Sequence, residues 1–298
     1  MAAGEERVSP VRAAVLGRPI AHSLSPALHR AAFSALGLAD GEYTRAELGS
    51  EDLADFLDAH PGHTGFSLTM PLKERLVDLA RERGWRIEET AEATGVANTY
   101  VATTPPTVAN TDVDGIVRAL TPALAESGSA PCSPSDSAWR ASSRATILGA
   151  GATARSALLA CRRLGITEVD LLVRNPSRAQ SAAELAYRVG LALTIGQLST
   201  IRPSAIVVST LPAEAAPALS WDAGSGAALD VAYAADSAFL ASAAAHGYVP
   251  VPGTAMLVEQ AVVQFALFLT AATGTEPTDA QLETVAAAMH SAVLDRAS

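Results

Sequence analysis

Two side chains in the first half of the sequence are suited to moving a proton. Lys73 follows a predicted strand and stands just inside the helix that comes next. Because the N-terminal end of a helix disfavours a cation, this position hints at a task in a cleft, the alternative being a solvated surface lysine. Asp112 closes a polar cluster after a later predicted strand, where it either serves catalysis or caps a helix over 115–120.

A pair of hydroxyls near the N-terminus is suited to holding an anion. Ser23 and Ser25 stand two residues apart in a loop, so in an extended segment their side chains point the same way. Ser25 is a good N-cap, Pro26 suits the first helical turn, and Gly37 ends the predicted helix. Two hydroxyls beside a helix N-terminus make a seat for a small carboxylate. Alternatively, Ser25 is a plain cap and Ser23 an ordinary loop residue.

The stretch 145–155 predicts a buried strand, a tight turn and a helix. Gly149 can take a turn conformation that a side chain would forbid, Gly151 lets bare backbone approach a pyrophosphate, and Ala154 permits close helix–strand packing. The unpaired N–H groups and the dipole of the helix then favour phosphate. The pattern indicates a dinucleotide site, although by itself it also fits a simple turn between a strand and a helix.

Two arginines follow the next predicted strand, 167–173, where NAD-binding proteins usually place a carboxylate for the ribose 2′-hydroxyl. Asn175 as N-cap and Pro176 would start a helix, with Arg174 just before it and Arg178 in its first turn. Two guanidinium groups there can grip a 2′-phosphate, which favours NADP over NAD. The alternative is a pair of solvated arginines at a helix start.

Composition limits the classes of protein to which the chain can belong. The 298 residues are 49% hydrophobic, enough for one large or two ordinary domains, and the formal charge of −10 argues against nucleic acid or anionic membrane as a partner. Cys132 and Cys161 lack metal-ligand spacing, so we expect no metal site and a reducing cytoplasm. The N-terminus does not resemble a signal peptide, and the apolar run 258–272 is short and carries Glu259, Gln260 and Gln264, so we expect no membrane span.

Alternating strand and helix patterns predict an α/β fold of two domains, with a parallel sheet covered on both faces in the second. Residues 1–120 form the substrate-binding and catalytic domain, completed by helices in 254–298 that pack back against it. Residues 121–143, rich in Ser, Pro and Ala, are a linker or surface excursion, and 144–253 form a Rossmann-like doubly wound domain. Other predicted elements are strands at 11–16, 43–48, 65–69, 192–195, 205–208 and 227–231, a hairpin of 94–101 with 107–112, and helices at 51–59, 256–272 and 279–295.

The ordered set of motifs resembles shikimate dehydrogenase across nearly the whole chain. The motifs are Ser23-Leu-Ser25-Pro26, Thr69-Met-Pro71-Leu-Lys73, Asn98-Thr99, Asn110-Thr-Asp112-Val-Asp-Gly115, Gly149-Ala-Gly151, Arg174, Tyr233 and Gly253-Thr-Ala-Met256-Leu-Val-Glu-Gln260. The resemblance implies a two-domain enzyme that reduces 3-dehydroshikimate to shikimate with NADPH in aromatic amino-acid biosynthesis. As partners we expect only the small-molecule substrate and a monomer or homodimer.

Roles follow from the resemblance, residue by residue. It implies that Lys73 and Asp112 are the catalytic pair. The substrate-binding residues would be Ser23, Ser25, Ser67, Thr69, Asn98, Tyr233 and Gln260. The cofactor-binding residues would be Gly149, Ala150, Gly151, Ala152, Thr153, Ala154, Arg174, Asn175, Arg178, Gly253 and Met256.

Four departures from the family pattern leave alternatives open. Ser67 stands where the family often has Asn, Val173 where an Asn often precedes the arginine, and Ala152 where a third glycine is usual. The segment 234–238 lacks the usual proline and threonine. A quinate/shikimate enzyme, or a related one acting on another cyclic hydroxy acid, is therefore an alternative, as is a non-catalytic NADP-binding sensor.

Overall fold

A computed structural model describes residues 10–128, 144–212, 219–233 and 236–297, the side chains of 295–297 excepted. The chain forms two compact units, Met1–Thr111 with Ala261–Ser298, and Asp112–Gln260. The predicted domain limits differ from these unit limits and stay a prediction. Cys132, most of the predicted excursion 121–143, and residues 234–235 after Tyr233 lie outside the described residues.

The first unit contains a mixed six-stranded sheet in the order β2-β1-β3-β5-β6-β4. Strands β1, β2 and β3 are parallel, and β5 pairs antiparallel with both β3 and β6, so the predicted hairpin is confirmed. Buried side chains such as Leu16, Phe66 and Leu72 form its core. The strands are β1 (Arg12–Gly17), β2 (Glu42–Glu47), β3 (Gly65–Leu68), β4 (Arg86–Ile87), β5 (Thr99–Val101) and β6 (Thr107–Ala109), and the helices α1 (Ser25–Ala35), α2 (Leu53–Ala59), α3 (Leu72–Arg83) and α4 (Glu89–Thr94).

The second unit contains a parallel six-stranded sheet in the order β14-β13-β11-β7-β8-β9. Taken from β9, the six strands follow in the sequence order third, second, first, fourth, fifth, sixth, which is that of the doubly wound dinucleotide-binding fold. The strands are β7 (Arg144–Leu148), β8 (Glu168–Val173), β9 (Ala192–Gln197), β11 (Ile206–Ser209), β13 (Gly226–Asp230) and β14 (Tyr248–Pro252), with a separate pair, β10 (Thr200–Ile201) and β12 (Ser220–Trp221).

Both faces of this parallel sheet are covered, as predicted. Ile147 belongs to one buried cluster and its neighbour Leu148 to another, because successive side chains of a strand point to opposite faces. One cluster includes side chains of the first three helices of the unit, and the other includes Phe239 of the fourth. These helices are α5 (Asp112–Glu126), α6 (Ala152–Arg163), α7 (Gln180–Val189) and α8 (Ala238–Ala245).

Two long helices end the chain, α9 (Gly253–Thr273) and α10 (Asp279–Ala297). Helix α10 packs on α1, so its predicted return to the first part of the fold is confirmed. Among the described residues, α9 alone is long and apolar enough to cross a membrane. However, 56% of its most apolar stretch of 18 residues is buried inside the protein. Gln264 of this helix is itself buried and hydrogen-bonded, which is typical of a core helix.

Several predicted element limits are wrong. Helix α5 begins at Asp112 and continues through Glu126 despite Pro122, because Ala123 and Leu124 bury their side chains. Ser25 is not the N-cap of α1 but its first residue, and its amide donates to the Ser23 hydroxyl oxygen. The predicted strand from 94 starts only at 99, since Thr94 ends a helix.

Candidate functional site

The glycine turn after β7 lies where the strand order of the second unit reverses, between β7 and β11. Gly149 has a φ of +101°, and a Cβ there would come within 2.5 Å of Thr210 Oγ1 just after β11. The Thr210 hydroxyl in turn donates to the Leu148 carbonyl over 2.7 Å. Reversal points at the carboxyl ends of parallel strands are where open α/β sheets bind their ligands.

Gly151 is a glycine for a different reason. Its φ of −80° suits any residue, and a Cβ at this position would meet no atom of the described residues within 4 Å. It stands as the N-cap of α6 without a capping side chain, so the first N–H groups of the helix stay open to a ligand. Ala152 is already helical and Ala154 is fully buried, as close packing on the sheet requires. The turn therefore fits the pyrophosphate of a dinucleotide.

The segment after β8 presents two cations and no carboxylate. Asn175 accepts a hydrogen bond from the Ser177 amide over 3.0 Å, which confirms it as an N-cap, although the turn it starts, Pro176–Ala179, is a 3-10 helix. Arg174 and Arg178 are exposed, and neither forms an ion pair within the described part of the chain. Both guanidinium groups are thus free to bind a phosphate.

Gly253 and Met256 lie at the start of α9. A Cβ on Gly253 would approach the Asp230 and Ala232 carbonyl oxygens to 2.6 and 2.8 Å, so only glycine lets the helix begin this close to the end of β13. The Met256 side chain is buried in the core of the second unit. Both residues therefore help to position the start of α9.

Tyr233 follows β13 and is 55% exposed. Asp230, at the end of that strand, accepts from the Ala232 amide and, over 2.6 Å, from the Ser237 hydroxyl, which also caps α8. The Asp230 carboxylate therefore holds Ala232, the residue before Tyr233, and Ser237, the cap of α8.

Asp112 is the first residue of α5 and is buried. Three residues on, a Cβ on Gly115 would lie 2.7 Å from Gln260 Cβ and 3.0 Å from the Met256 carbonyl oxygen. The absent side chain thus lets α5 cross α9 at close range and brings the helical turn of Asp112 next to Gln260. The Gln260 amide nitrogen donates to the Leu257 carbonyl of its own helix over 2.7 Å.

Lys73 belongs to the first unit, at the second position of α3, and is partly buried. Its carbonyl accepts a hydrogen bond from the Ala97 amide over 2.9 Å, which ties the start of α3 to the segment before β5. Lys73 is also the only lysine in the sequence, so the rest of the 21 lysine and arginine side chains are arginines. A lysine can lose its proton and an arginine effectively cannot, so the single lysine at this position is a signal of proton-transfer chemistry that the sequence itself contains.

Asn98 is buried just before β5 and holds the chain after β6. Its Oδ1 accepts from the Thr111 amide and the Thr99 hydroxyl, each over 2.9 Å, and its Nδ2 donates to Thr111 Oγ1 over 2.9 Å. Thr69, just after β3, is partly exposed, and its amide donates to the Leu16 carbonyl over 2.9 Å. The structure thus brings Asn98 next to the residue that precedes Asp112 in sequence.

The three serines that the family resemblance assigns to the substrate differ in burial and in hydrogen bonding. Ser23 is partly exposed, whereas Ser25 is buried. Ser67 is buried, and its Oγ accepts from the Tyr43 hydroxyl and donates to Gln264 Oε1, both over 2.7 Å. Ser67 is therefore occupied by internal partners. Tyr43 and Gln264 were not assigned from the sequence, and burial raises the pKa of the Tyr43 phenol.

A covered parallel sheet that leads through a glycine turn into an open helix N-terminus defines an α/β protein with a dinucleotide-binding unit. The family model of the shikimate dehydrogenase substrate binding domain matches residues 15–100 of this chain. Among curated proteins, shikimate dehydrogenase (NADP(+)) of Methylobacterium radiotolerans is 32% identical over 272 residues, 87% of this chain and 91% of that protein. The corresponding protein of Natronomonas pharaonis is 31% identical over 88% of this chain and 95% of its own length.

Solved structures agree with these relatives. Shikimate dehydrogenase of Mycobacterium tuberculosis superposes with a TM-score of 0.72 at 29% identity, covering 95% of this chain and 100% of that chain. The Thermus thermophilus enzyme in complex with NADP(H) and shikimate gives 0.66 at 30% identity, over 95% and 99%. Quinate dehydrogenase of Corynebacterium glutamicum in complex with NAD gives 0.74 at 26% identity, over 96% and 99%. The chain belongs to the shikimate dehydrogenase family.

Proposed function

We propose that this protein catalyses the reversible, NADPH-dependent reduction of 3-dehydroshikimate to shikimate. The observation that carries the proposal is the open N-terminus of α6 at Gly151, followed after β8 by arginines instead of a carboxylate, in a chain whose curated relatives are named as NADP(+)-dependent shikimate dehydrogenases. The residues present fit a dinucleotide with a 2′-phosphate.

The second unit would hold the cofactor. The turn 149–154 presents backbone N–H groups to the pyrophosphate, and Arg174 and Arg178 present guanidinium groups to the 2′-phosphate, with Asn175 fixing the turn between them. Gly253 and Met256, at the start of α9, would also contact the cofactor. When bound, NADPH supplies the hydride for the carbonyl carbon of the substrate.

Lys73 would move the proton that the reaction requires. Its ammonium group donates to the carbonyl oxygen as that oxygen becomes a hydroxyl, and it regains a proton in the opposite direction. Asp112 is the second member of the proposed catalytic pair. No other side chain of the sequence offers an alkyl ammonium group.

Polar groups of the first unit would bind the substrate. Ser23 and Ser25, near the start of α1, would take the carboxylate, while Thr69 and Asn98 would contact ring hydroxyls. Gln260 and Tyr233, which belong to the second unit, are the other substrate-binding residues we propose. Ser67 would support the substrate-binding residues indirectly, because its hydroxyl is hydrogen-bonded to Tyr43 and Gln264. The small-molecule substrate is the only partner we propose, for a cytoplasmic monomer or homodimer.

The experiment that tests the proposal compares four reactant pairs. We would measure the rate at which purified protein oxidises shikimate and quinate, each with NADP and with NAD, from the absorbance of reduced nicotinamide. The proposal expects shikimate with NADP to give the highest kcat/KM. Preference for quinate would favour the related enzyme, and NADP binding without oxidation of either acid would favour a sensor.

A further inference from the structure

A chain of buried hydrogen bonds in the first unit links β2, β3, α9 and the start of β5. The Tyr43 hydroxyl donates to Ser67 Oγ, and the Ser67 hydroxyl donates to Gln264 Oε1, both over 2.7 Å. The Gln264 amide nitrogen then donates to the Asn98 backbone carbonyl over 3.1 Å and to Thr99 Oγ1 over 2.9 Å. All five residues are buried.

One group that can only accept fixes the direction of every bond in this chain. The Asn98 carbonyl carries no proton, so Gln264 must turn its NH₂ toward it and its Oε1 toward Ser67. Ser67 must then donate to Gln264 and accept from Tyr43. Tyr43 uses its single proton on Ser67, so toward any further neighbour its oxygen can only accept, and the Ser25 hydroxyl lies near it.

The two ends of this chain reach residues that the proposed function assigns to the substrate. Tyr43 lies near Ser25, which would hold the carboxylate, and Gln264 binds the backbone of Asn98, which would hold a ring hydroxyl. A buried carboxamide destabilises the fold unless its polar atoms are hydrogen-bonded. The Gln264 amide meets this requirement through three partners on two strands and the residue before one of them.

We infer that Gln264 is a positioning residue for the substrate: through Ser67 and Tyr43 it holds the carboxylate-binding and hydroxyl-binding residues of the first unit at a fixed separation. The inference rests on the proposed function, since Ser25 and Asn98 are assigned to the substrate under it. Gln264 does not need to touch the substrate to act in this way. Its loss is expected to weaken substrate binding more than it slows the chemical step.

Two substitutions of Gln264 separate positioning from simple packing. Gln264→Leu keeps the approximate volume and removes every hydrogen bond of the amide. Gln264→Glu restores one donor and one acceptor when the acid is protonated, but only acceptors when it is ionised, and then it repels the Asn98 carbonyl. The matched control is Thr270→Val on the same helix, whose hydroxyl bonds only to the Ala266 carbonyl of α9 in the described structure.

The expected result is a split between KM and kcat. Gln264→Leu should raise the KM for shikimate about tenfold, the equivalent of one hydrogen bond of about 1.4 kcal/mol, and change kcat less than about threefold. Gln264→Glu, measured as a ratio to the wild type at each pH, should bind normally at low pH and lose affinity as pH rises. Thr270→Val should match the wild type at every pH.

Unchanged KM in Gln264→Leu, or a pH-independent ratio for Gln264→Glu, would overturn the inference while leaving the wild-type activity intact. If Gln264→Leu fails to fold, Tyr43→Phe removes only the first hydroxyl of the chain and should raise KM in the same way. Wild-type protein that neither binds nor oxidises shikimate would overturn the proposed function and this inference together.

Discussion

At the scale of single residues, the sharpest expectation concerns the only lysine. Lys73→Ala should lower kcat for shikimate oxidation about a hundredfold to ten-thousandfold, the usual contribution of a general acid or base, with only a modest change in KM. Steady-state kinetics across a range of shikimate concentrations measures both constants. Near-normal turnover in the variant would remove Lys73 from the catalytic role.

The expected preference for NADP over NAD also depends on single residues. Replacing Arg174 and Arg178 together with serine should raise the KM for NADP about tenfold or more, because two charge-assisted hydrogen bonds to the 2′-phosphate are lost. The KM for NAD should hardly change, since NAD lacks this phosphate. Arg118→Ser, which removes an exposed arginine of α5, is the control. Equal losses with NADP and NAD would place the 2′-phosphate elsewhere.

A buried histidine makes stability depend on pH. His29 is fully buried, stacks on Tyr43 at 4.0 Å, and has no hydrogen-bond partner for either ring nitrogen among the described residues. Burial lowers the pKa of His29 to about 3, from an ordinary value of 6.5. Below pH 6.5 the unfolded chain therefore binds a proton at His29 that the folded chain does not bind. The free energy of unfolding then falls by up to about 1.4 kcal/mol per pH unit until the pH reaches about 3.

Denaturant unfolding of His29→Phe tests this pH dependence. The variant keeps an aromatic ring against Tyr43 but cannot titrate, so its free energy of unfolding should fall less steeply than that of the wild type between pH 6.5 and 4. His22→Gln, which removes an exposed histidine, should keep the wild-type slope. Parallel slopes for His29→Phe and wild type would show that His29 is not held neutral by the fold.

At the scale of elements, the turn between β7 and α6 contains two glycines with opposite expected behaviour. Gly149→Ala should lower the melting temperature, because it strains a φ of +101° and places a methyl group 2.5 Å from Thr210 Oγ1. Gly151→Ala should melt like the wild type, because its methyl group meets no atom within 4 Å in the part of the chain that the structure describes.

The same pair of variants tests the cofactor site. The methyl group of Gly151→Ala fills the space proposed for the pyrophosphate, so the affinity for NADP should fall while stability is kept. Calorimetric titration with NADP and a thermal melt measure the two properties separately. Normal NADP affinity in a stable Gly151→Ala protein would show that the phosphates do not approach this turn.

Element by element, the sequence predicted type better than limits. Strands β8, β11 and β13 are buried on both faces along almost their whole length, and their apolar runs predicted their limits to within one or two residues. The predicted end of helix α5 was wrong because Pro122 and the Ser-rich sequence after it resemble a linker. The helix continues because Leu124 is buried, and this burial depends on the tertiary structure. Ser25 was misplaced by a single residue, the ordinary uncertainty of helix ends.

At the scale of the whole molecule, the fold class and the family followed from the order of motifs along the chain, whereas the buried hydrogen-bond partners Tyr43 and Gln264 did not. Gln264 contacts Ser67 across 197 residues of sequence, and in the sequence it is one polar residue within an apolar helix. Tyr43 has the pattern of an ordinary strand core residue. Such partners are set by which strands become neighbours, and a residue pattern carries no record of that pairing.

The most direct test of the central claim is the initial rate of NADP reduction when shikimate is the only other reactant. Wild-type protein should turn over many times per active site, and protein carrying both Lys73→Ala and Asp112→Asn should retain little of that rate. A wild-type preparation that binds NADP but leaves shikimate unoxidised, or a double variant as fast as the wild type, would contradict the proposed function.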